Sequence, residues 1–362
     1  MIALSAAESL TDDLAAYLLE LAGMQEREAL ISALHVCDFV FERNSEWHLA
    51  ARARDYLLRR LLERRELFRA AHGRLLEVSR SPALREQFSE IPRYLLEGTG
   101  RAYHSSALNP AVGLLRYSDV AVSDARGQQW LAARLAREQQ TLGILPRESL
   151  EIDFLQGMVY YREGRVADAE PLLRRVAGFM IPRREVAIAL YIVGRLDGRR
   201  GRTRRAEAEL NRSLEIERNL GNAFGEALVL HALGQLIGRD RQRASQAEEL
   251  LRRSLEVGEQ LENRQHQAQV LHTLGQLIGR DRQRASQAEE LLRRSLELLQ
   301  NLDDALGQAQ VLYTWGKIRS RSDRQEGIGL LRRSLAINEE KHNSEGVELV
   351  RRELRRMQGD SS

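Results

Sequence analysis

The chain holds eight histidines and one cysteine, the side chains that most often carry nucleophilic, general-base or metal chemistry. His35 and Cys37 come nearest to a base beside its nucleophile. Two residues apart, they fall on different faces of a helix or on one side of a strand, and no third residue is placed to orient the base. No His-Glu-x-x-His pair, no histidine and carboxylate set at metal-ligand spacing, and no Gly-x-Ser-x-Gly elbow occurs. His231 and His272 recur because the segment around them recurs. The acidic residues sit among arginines at helical spacing, the pattern of solvated faces with i,i+4 pairs. The residues thus predict no catalytic centre, no metal site and no cofactor, and they point to recognition rather than reaction.

The elements that must position these side chains are repeated. Residues 231–256 read HALGQLIGRDRQRASQAEELLRRSLE, and residues 272–297 read the same with Thr273 in place of Ala232, a step of 41 residues. Each unit has two apolar-periodic halves, Val229, Leu230, Leu233 and Ile237, then Ala247, Leu250, Leu251 and Leu255, separated by the polar stretch Gly238 to Ser245. That is a helical hairpin. One hairpin cannot bury its apolar faces alone, whereas hairpins stacked side by side bury them against one another.

The spacing within the unit resembles the tetratricopeptide repeat (TPR) family, with a Leu-Gly pair on the first helix followed on the second by a small, a large apolar and another small residue. The matching sets are Leu233, Gly234, Ala247, Leu251, Ser254 and Leu274, Gly275, Ala288, Leu292, Ser295. The ladder extends outward through Gly157, Ala169, Leu173, Val176, then Gly194, Ala206, Leu210, Ser213, and beyond the duplication through Trp315, Gly316, Gly327, Leu331, Ser334. The resemblance implies an all-α fold, a right-handed superhelical solenoid of about five hairpins over residues 146–355, with a concave surface lined by first helices. It places on that surface Tyr191, Arg195 and Arg199; His231, Gln235 and Arg239; His272, Gln276 and Arg280; and Tyr313, Lys317 and Arg321. These make an aromatic or imidazole row, an amide or basic row and an arginine row. Arginine forks bind carboxylates through paired hydrogen bonds, so an acidic segment or the C-terminus of another protein is the fitting ligand.

Composition agrees with helix throughout: 30% of the 362 residues are charged and 5% aromatic. The net charge of +3 with balanced signs gives only weak attraction to polyanions. A lone cysteine excludes a disulfide framework. No stretch approaches the ~20 apolar residues of a membrane span, and the acidic start MIALSAAESLTDDL is no signal peptide. The expected location is the cytoplasm.

One segment departs from the helical pattern. Phe39-Val40-Phe41, the tetrad Glu42 to Ser45, and Glu46-Trp47-His48-Leu49 read as a β-hairpin between helices. This order, with His48, Leu49, Arg54, Asp55, Tyr56, Leu57 and Leu58 after the wing, resembles the winged helix that follows the ATPase module in STAND-type signalling ATPases, where a TPR array serves as sensor. No Gly-rich phosphate loop ending in Lys and Ser or Thr occurs. The expected organisation is a winged-helix-like module at 1–63, bridging degenerate hairpins at 64–145 with helices over 82–97, 107–123 and 125–142, the TPR array at 146–355, and a disordered tail at 356–362.

The reading is a non-enzymatic adaptor or sensor that binds a protein partner, an effector such as a protease or a trigger, within what the STAND resemblance implies is a bacterial signalling or antiphage assembly. Two other readings stay open. A winged helix on DNA would use Arg27, although Glu26, Glu28, Glu42 and Glu46 oppose approach to phosphates. A self-assembling scaffold would stack an uncapped repeat on another copy. Few aromatics disfavour single-stranded nucleic acid. For the groove, reversing Arg239 and Arg280 to Glu is expected to weaken partner binding more than tenfold with helicity unchanged, read by titration and circular dichroism.

Overall fold

The structure is a computed structural model that describes residues 6–7, 9–20, 27–35, 37–43, 46–88, 90–122 and 126–359. The chain divides into two compact units, 1–179 and 180–362.

In the first unit α1 (Asp12–Leu19) and α2 (Arg27–His35) precede an antiparallel hairpin, β1 (Val40–Arg43) and β2 (Glu46–Leu49), in register from Val40 with Leu49 to Arg43 with Glu46. No other strand occurs among the described residues. β2 alternates as a half-buried strand must, with Trp47 and Leu49 inward and Glu46 and His48 partly exposed. Trp47 joins Leu10, Leu14, Leu18, Leu58, Leu61, Phe68 and Leu75 in the core of this unit. Residue 26 and the side chains of Arg27 and Glu28 lie outside the described residues.

α3 (Ala51–Glu63) and α4 (Arg65–Arg80) follow. Arg54 is buried on α3, and a buried guanidinium must be paired and hydrogen-bonded. It donates to the Ala7 carbonyl and the Tyr103 hydroxyl, each at 3.0 Å, and to the Glu138 carboxylate, which Tyr103 also meets at 2.8 Å.

The next stretch corrects the expectation of one helix over 82–97. It holds two short turns, α5 (Pro82–Arg85) and α6 (Arg93–Leu96), because Pro92 keeps Ile91 out of the helical region. A helix not foreseen, α7 (Gly98–Leu108), then contains Gly100, which reads in the sequence as punctuation. A Cβ at Gly100 would lie 2.5 Å from the Tyr94 carbonyl oxygen, so the glycine serves a close packing contact. α8 (Pro110–Val122), α9 (Arg126–Thr141) and the hairpin α10 (Leu150–Arg162) with α11 (Val166–Gly178) complete the unit.

The second unit pairs α12 (Arg184–Arg199) with α13 (Thr203–Asn219), α14 (Ala223–Ile237) with α15 (Ala244–Gln260), α16 (Arg264–Ile278) with α17 (Ala285–Asn301), and α18 (Ala305–Arg319) with α19 (Arg324–Glu340), then ends in α20 (Ser344–Gln358). The extra residue of the duplicated turn sits in single 3-10 turns at Arg241–Arg243 and Arg282–Arg284.

Each hairpin closes on its glycine. A Cβ at Gly234, Gly275 or Gly316 would stand 2.6, 2.7 or 2.9 Å from the Leu251, Leu292 or Leu331 side chain across the hairpin. Gly157 against Leu173 and Gly194 against Leu210 repeat the contact at 2.9 Å. After four of the five leucines, all but Leu173, the next ladder residue carries a hydrogen bond: the hydroxyls of Ser213, Ser254, Ser295 and Ser334 donate to the carbonyls of Ala187, Ala227, Ala268 and Ala309 at 2.7–2.8 Å. All four serines are fully buried, so the bond removes a desolvation cost as well as locking the two helices together.

α20 differs. Aligned on α18, its ladder position is Arg355, too large for another helix to cross there, and its exposed side carries Arg351, Arg352 and Arg356. Inward-facing Val350 and Leu354 pack on Ile328 and Leu331. The helix runs to Gln358, with Gly359 at φ 88° as its left-handed cap, so residues 356–358, expected in a disordered tail, form its last turn. Residues 360–362 lie outside the described residues.

The ladder makes a signed prediction. Gly to Ala inside a helix ordinarily stabilises by about 1 kcal/mol. Gly329→Ala, on α19 with open space around it, is expected to raise the melting temperature. Gly275→Ala is expected to lower it, because the overpacking cost of about 1–3 kcal/mol exceeds the propensity gain. Calorimetry of the two variants checks the sign.

Candidate recognition groove

Hairpin stacking sets α14, α16 and α18 beside one another, and the three predicted rows lie on them and on α12, which carries Tyr191, Arg195 and Arg199. Their surroundings differ from row to row.

The third row has a duty in the fold. Arg239 donates from Nη1 to the Gly198 carbonyl and Arg321 to the Gly279 carbonyl, both at 2.6 Å, and Arg280 donates to the Gly238 carbonyl. Each acceptor sits at the C-terminal end of the preceding first helix, where carbonyls lack helical partners and cations are favoured. Reversing Arg239 and Arg280 would therefore set carboxylates against carbonyls and loosen the stack. The expectation of unchanged helicity does not follow from this geometry. Arg199 is exposed at the end of α12.

In the second row, Arg195 donates to the Tyr191 hydroxyl at 3.0 Å, and the Lys317 ammonium lies 5.2 Å from the Tyr313 ring centroid. Gln276 is exposed, as is Gln235, whose amide donates to Thr273 Oγ1 at 3.2 Å.

The first row is bound repeat to repeat. His231 Nε2 lies 2.8 Å from Thr273 Oγ1, and His272 Nε2 lies 2.8 Å from Thr314 Oγ1. The threonine hydroxyls donate to the Gln269 and Gln310 carbonyls at 3.0 and 3.1 Å, so they accept from the imidazoles. Burial pushes the imidazole of His231 down to about 3, with His266 and Arg195 adding to it, and that of His272 down to about 4. Both rings are neutral near pH 7, and the charge of the groove comes from arginine and lysine alone. Thr273 is the one difference between the duplicated segments, and its partner is the histidine of the repeat before.

Two clefts open between successive first helices. One, of about 190 Å³, is lined by Gln235, Arg239, Thr273, Gln276 and Arg280. The other, of about 180 Å³, is lined by Gln276, Arg280, Tyr313, Thr314, Lys317 and Arg321. α16 and α18 contain no Asp or Glu, and α14 contains only Glu226, which is paired with Arg218 at 2.9 Å and Arg253 at 3.2 Å. The carboxylates lie mainly on the second helices, where they tie repeats together: Arg243 grips Glu207 and Arg284 grips Glu248 through two hydrogen bonds each, at 2.6–2.8 Å. The Arg284 pair holds the Glu248 carboxyl down at about 2.

A second inter-repeat device escaped the sequence reading. The third residue of α14, α18 and α20 is Gly225, Gly307 or Gly346, each backed by a large side chain on the preceding second helix, Glu217, Leu299 or Asn338, within 2.9 Å of where a Cβ would be. Between α15 and α16 the sizes are exchanged: His266 is the large residue and Gly258 the small one. The signal was present, since the duplicated identity stops just before Gly258 and Leu299.

His35 and Cys37 have separate partners. His35 Nε2 meets Asp12 Oδ1 at 2.9 Å, and the Cys37 thiol donates to the Ala33 carbonyl at 3.4 Å. No group of three or more His, Cys, Asp or Glu residues suited to a metal occurs among the described residues. No described helix is long and apolar enough to cross a membrane.

This geometry defines the class: an all-α solenoid of TPR-like hairpins with a small β-hairpin near its start. No protein-family model and no curated protein matches the sequence. Among solved structures, a signal transduction ATPase with numerous domains (STAND) carrying a tetratricopeptide repeat sensor, from Pyrococcus horikoshii, is similar over 94% of this chain at 11% identity, with a TM-score of 0.55. The chain spans about half of that protein, 52% of its length. A candidate kinesin light chain from Podospora anserina with nearly identical TPR-like repeats covers 54% of this chain and 97% of its own at 16% identity and a TM-score of 0.43. A Rap protein complexed with competence and sporulation factor covers 99% and 97% at 15% identity and 0.44.

The neutral imidazoles give a pH test. Burial lowers His72 to about 3, and lowers His104 and His266 as well as His231 and His272. The unfolded chain takes up protons near pH 6.5 and the folded chain only well below, so stability is full above that value and falls as pH drops through 6.5 toward 5. Urea unfolding at pH 7.5 and 5.5 is expected to show this loss, and His231→Gln with His272→Gln is expected to reduce the difference.

Proposed function

We propose that the chain is a non-catalytic recognition solenoid whose second unit binds an acidic segment, or the C-terminal carboxylate, of a partner protein across α14, α16 and α18. One observation carries this reading: the exposed Arg239, Arg280 and Arg321 and the half-buried Lys317 share a face of helices from which carboxylates are nearly absent. Unbalanced charge on a lined cleft attracts and orients the opposite charge. Arg239, Arg280 and Arg321 each use Nη1 on a carbonyl and keep other N–H donors of their five for a ligand.

The likeness to a STAND protein with a TPR sensor supports a signalling assembly as the setting, with this chain as adaptor or sensor and an effector or trigger protein as its partner. End-to-end stacking of copies on α20 is opposed by Arg355 and the charged side of that helix.

The test separates binding from folding. Gln276→Glu with Lys317→Glu removes most of the net charge of Arg239, Arg280, Lys317 and Arg321 without touching the arginine-to-carbonyl bonds. Anisotropy with a fluorescent Asp/Glu-rich peptide is expected to show binding weakened more than tenfold, and weakening with salt in the parent protein, at unchanged melting temperature. Binding equal to the parent's removes this reading.

A further inference from the structure

We propose that the cleft between α16 and α18 is a subsite for a histidine side chain of the bound segment, an assignment that rests on the groove reading and names one anchor within it. The cleft has a volume of about 240 Å³, and its walls include Ala268, His272, Leu299, Asp304, Leu306 and Val311.

The preceding interface shows what such a space holds. There Phe224, His231, Gly258, Asn263 and His266 stand where Gln265, His272, Leu299, Asp304 and Gly307 stand here. The His266 ring is buried, 6.0 Å from the Phe224 ring and 5.8 Å from the His231 ring, with Nε2 2.9 Å from Ser254 Oγ. The Ser254 proton is committed to the Ala227 carbonyl at 2.7 Å, so Nε2 carries the hydrogen, while Nδ1 is buried without a partner. The chain thus closes one interface with its own neutral imidazole. At the next interface Gly307 supplies no side chain and Leu299, within 2.9 Å of where a Gly307 Cβ would be, takes part of the ring's place, leaving the cleft of about 240 Å³ open beside it.

The charge at the mouth changes with it. Asn263 caps α16 at the plugged interface by accepting from the His266 N–H at 2.9 Å. Asp304 does the same for α18, accepting from the Gly307 N–H at 2.9 Å and from the Gln265 amide at 3.2 Å, both neutral donors. A carboxylate with only neutral donors, beside a cleft of imidazole size whose walls mix Leu299, Leu306 and Val311 with Gln269 and Gln310, complements a protonated imidazole, whose two N–H groups are both donors. Among the lining residues, α16 contributes His272 as its one titrating group and α18 is headed by Asp304, while α17 contributes Leu299. His272 stays neutral near pH 7, so the change of charge with pH belongs to the guest ring.

The experiment is a methyl NMR titration of the full chain with 4-methylimidazole, p-cresol and methylguanidinium at pH 6.0 and 8.5. The expected result is that 4-methylimidazole shifts the Leu299, Leu306 and Val311 methyls, at least fivefold more tightly at pH 6.0. Asp304→Asn, which restores the cap found at Asn263, is expected to remove that difference. Leu299→Gly with Gly307→His, which copies the plugged pairing, is expected to abolish the shifts. No shift with 4-methylimidazole, equal or tighter binding of p-cresol or methylguanidinium, or a pH dependence that survives Asp304→Asn overturns the subsite. The acidic-peptide titration reads the groove separately: if that peptide binds while 4-methylimidazole does not, the subsite alone fails, and if no acidic peptide binds, the groove reading fails.

Discussion

The second unit depends on the contact of a glycine with a leucine across each hairpin. Four times there, and once in the first unit at Gly157, a first helix comes so near its partner that a single methyl group would collide with the opposing leucine. At that separation the serine hydroxyl on the second helix reaches a carbonyl of the first, and neighbouring hairpins can share one continuous apolar seam. Identical hairpins then place identical surface positions side by side, which is how rows of imidazole, amide and guanidinium arise without any residue being placed one by one.

The same economy gives several polar residues two tasks. The third-row arginines finish the preceding helix and still face solvent, so their removal is a structural change as well as a loss of charge. The histidines of the first row serve the stack rather than the field, because burial keeps them neutral and threonines of the next repeat accept hydrogen bonds from their N–H groups. What remains for a ligand is the excess of Arg and Lys on helices without carboxylates, together with the clefts between them.

Much of this was legible beforehand. The ladder from Gly157 to Ser334 can be read off because close helix crossing tolerates few residue types at a fixed spacing, and the β-hairpin around Trp47 because it alone alternates. The break within 82–97 was present in the sequence as Pro92, a local signal, whereas the tight seat of Gly100 was not legible, because it belongs to a particular neighbour, Tyr94. The exchange of His266 for Gly258, and the carbonyl acceptors of the arginines, are likewise relations between repeats that one repeat read alone does not contain. Thr273 stood out as the one change in a duplicated segment, but only the structure pairs it with His231.

The central claim, that the protein recognises an acidic protein segment on its first helices, is tested most directly by site-specific photocrosslinking in cells that make it. A benzophenone amino acid would replace Gln276 on α16 in one variant and Arg293, exposed on α17, in another. The account predicts a protein adduct from position 276 that maps by mass spectrometry to an Asp/Glu-rich segment or C-terminus, and none from position 293. Nucleic acid crosslinked at 276, or a partner captured only at 293, would contradict it.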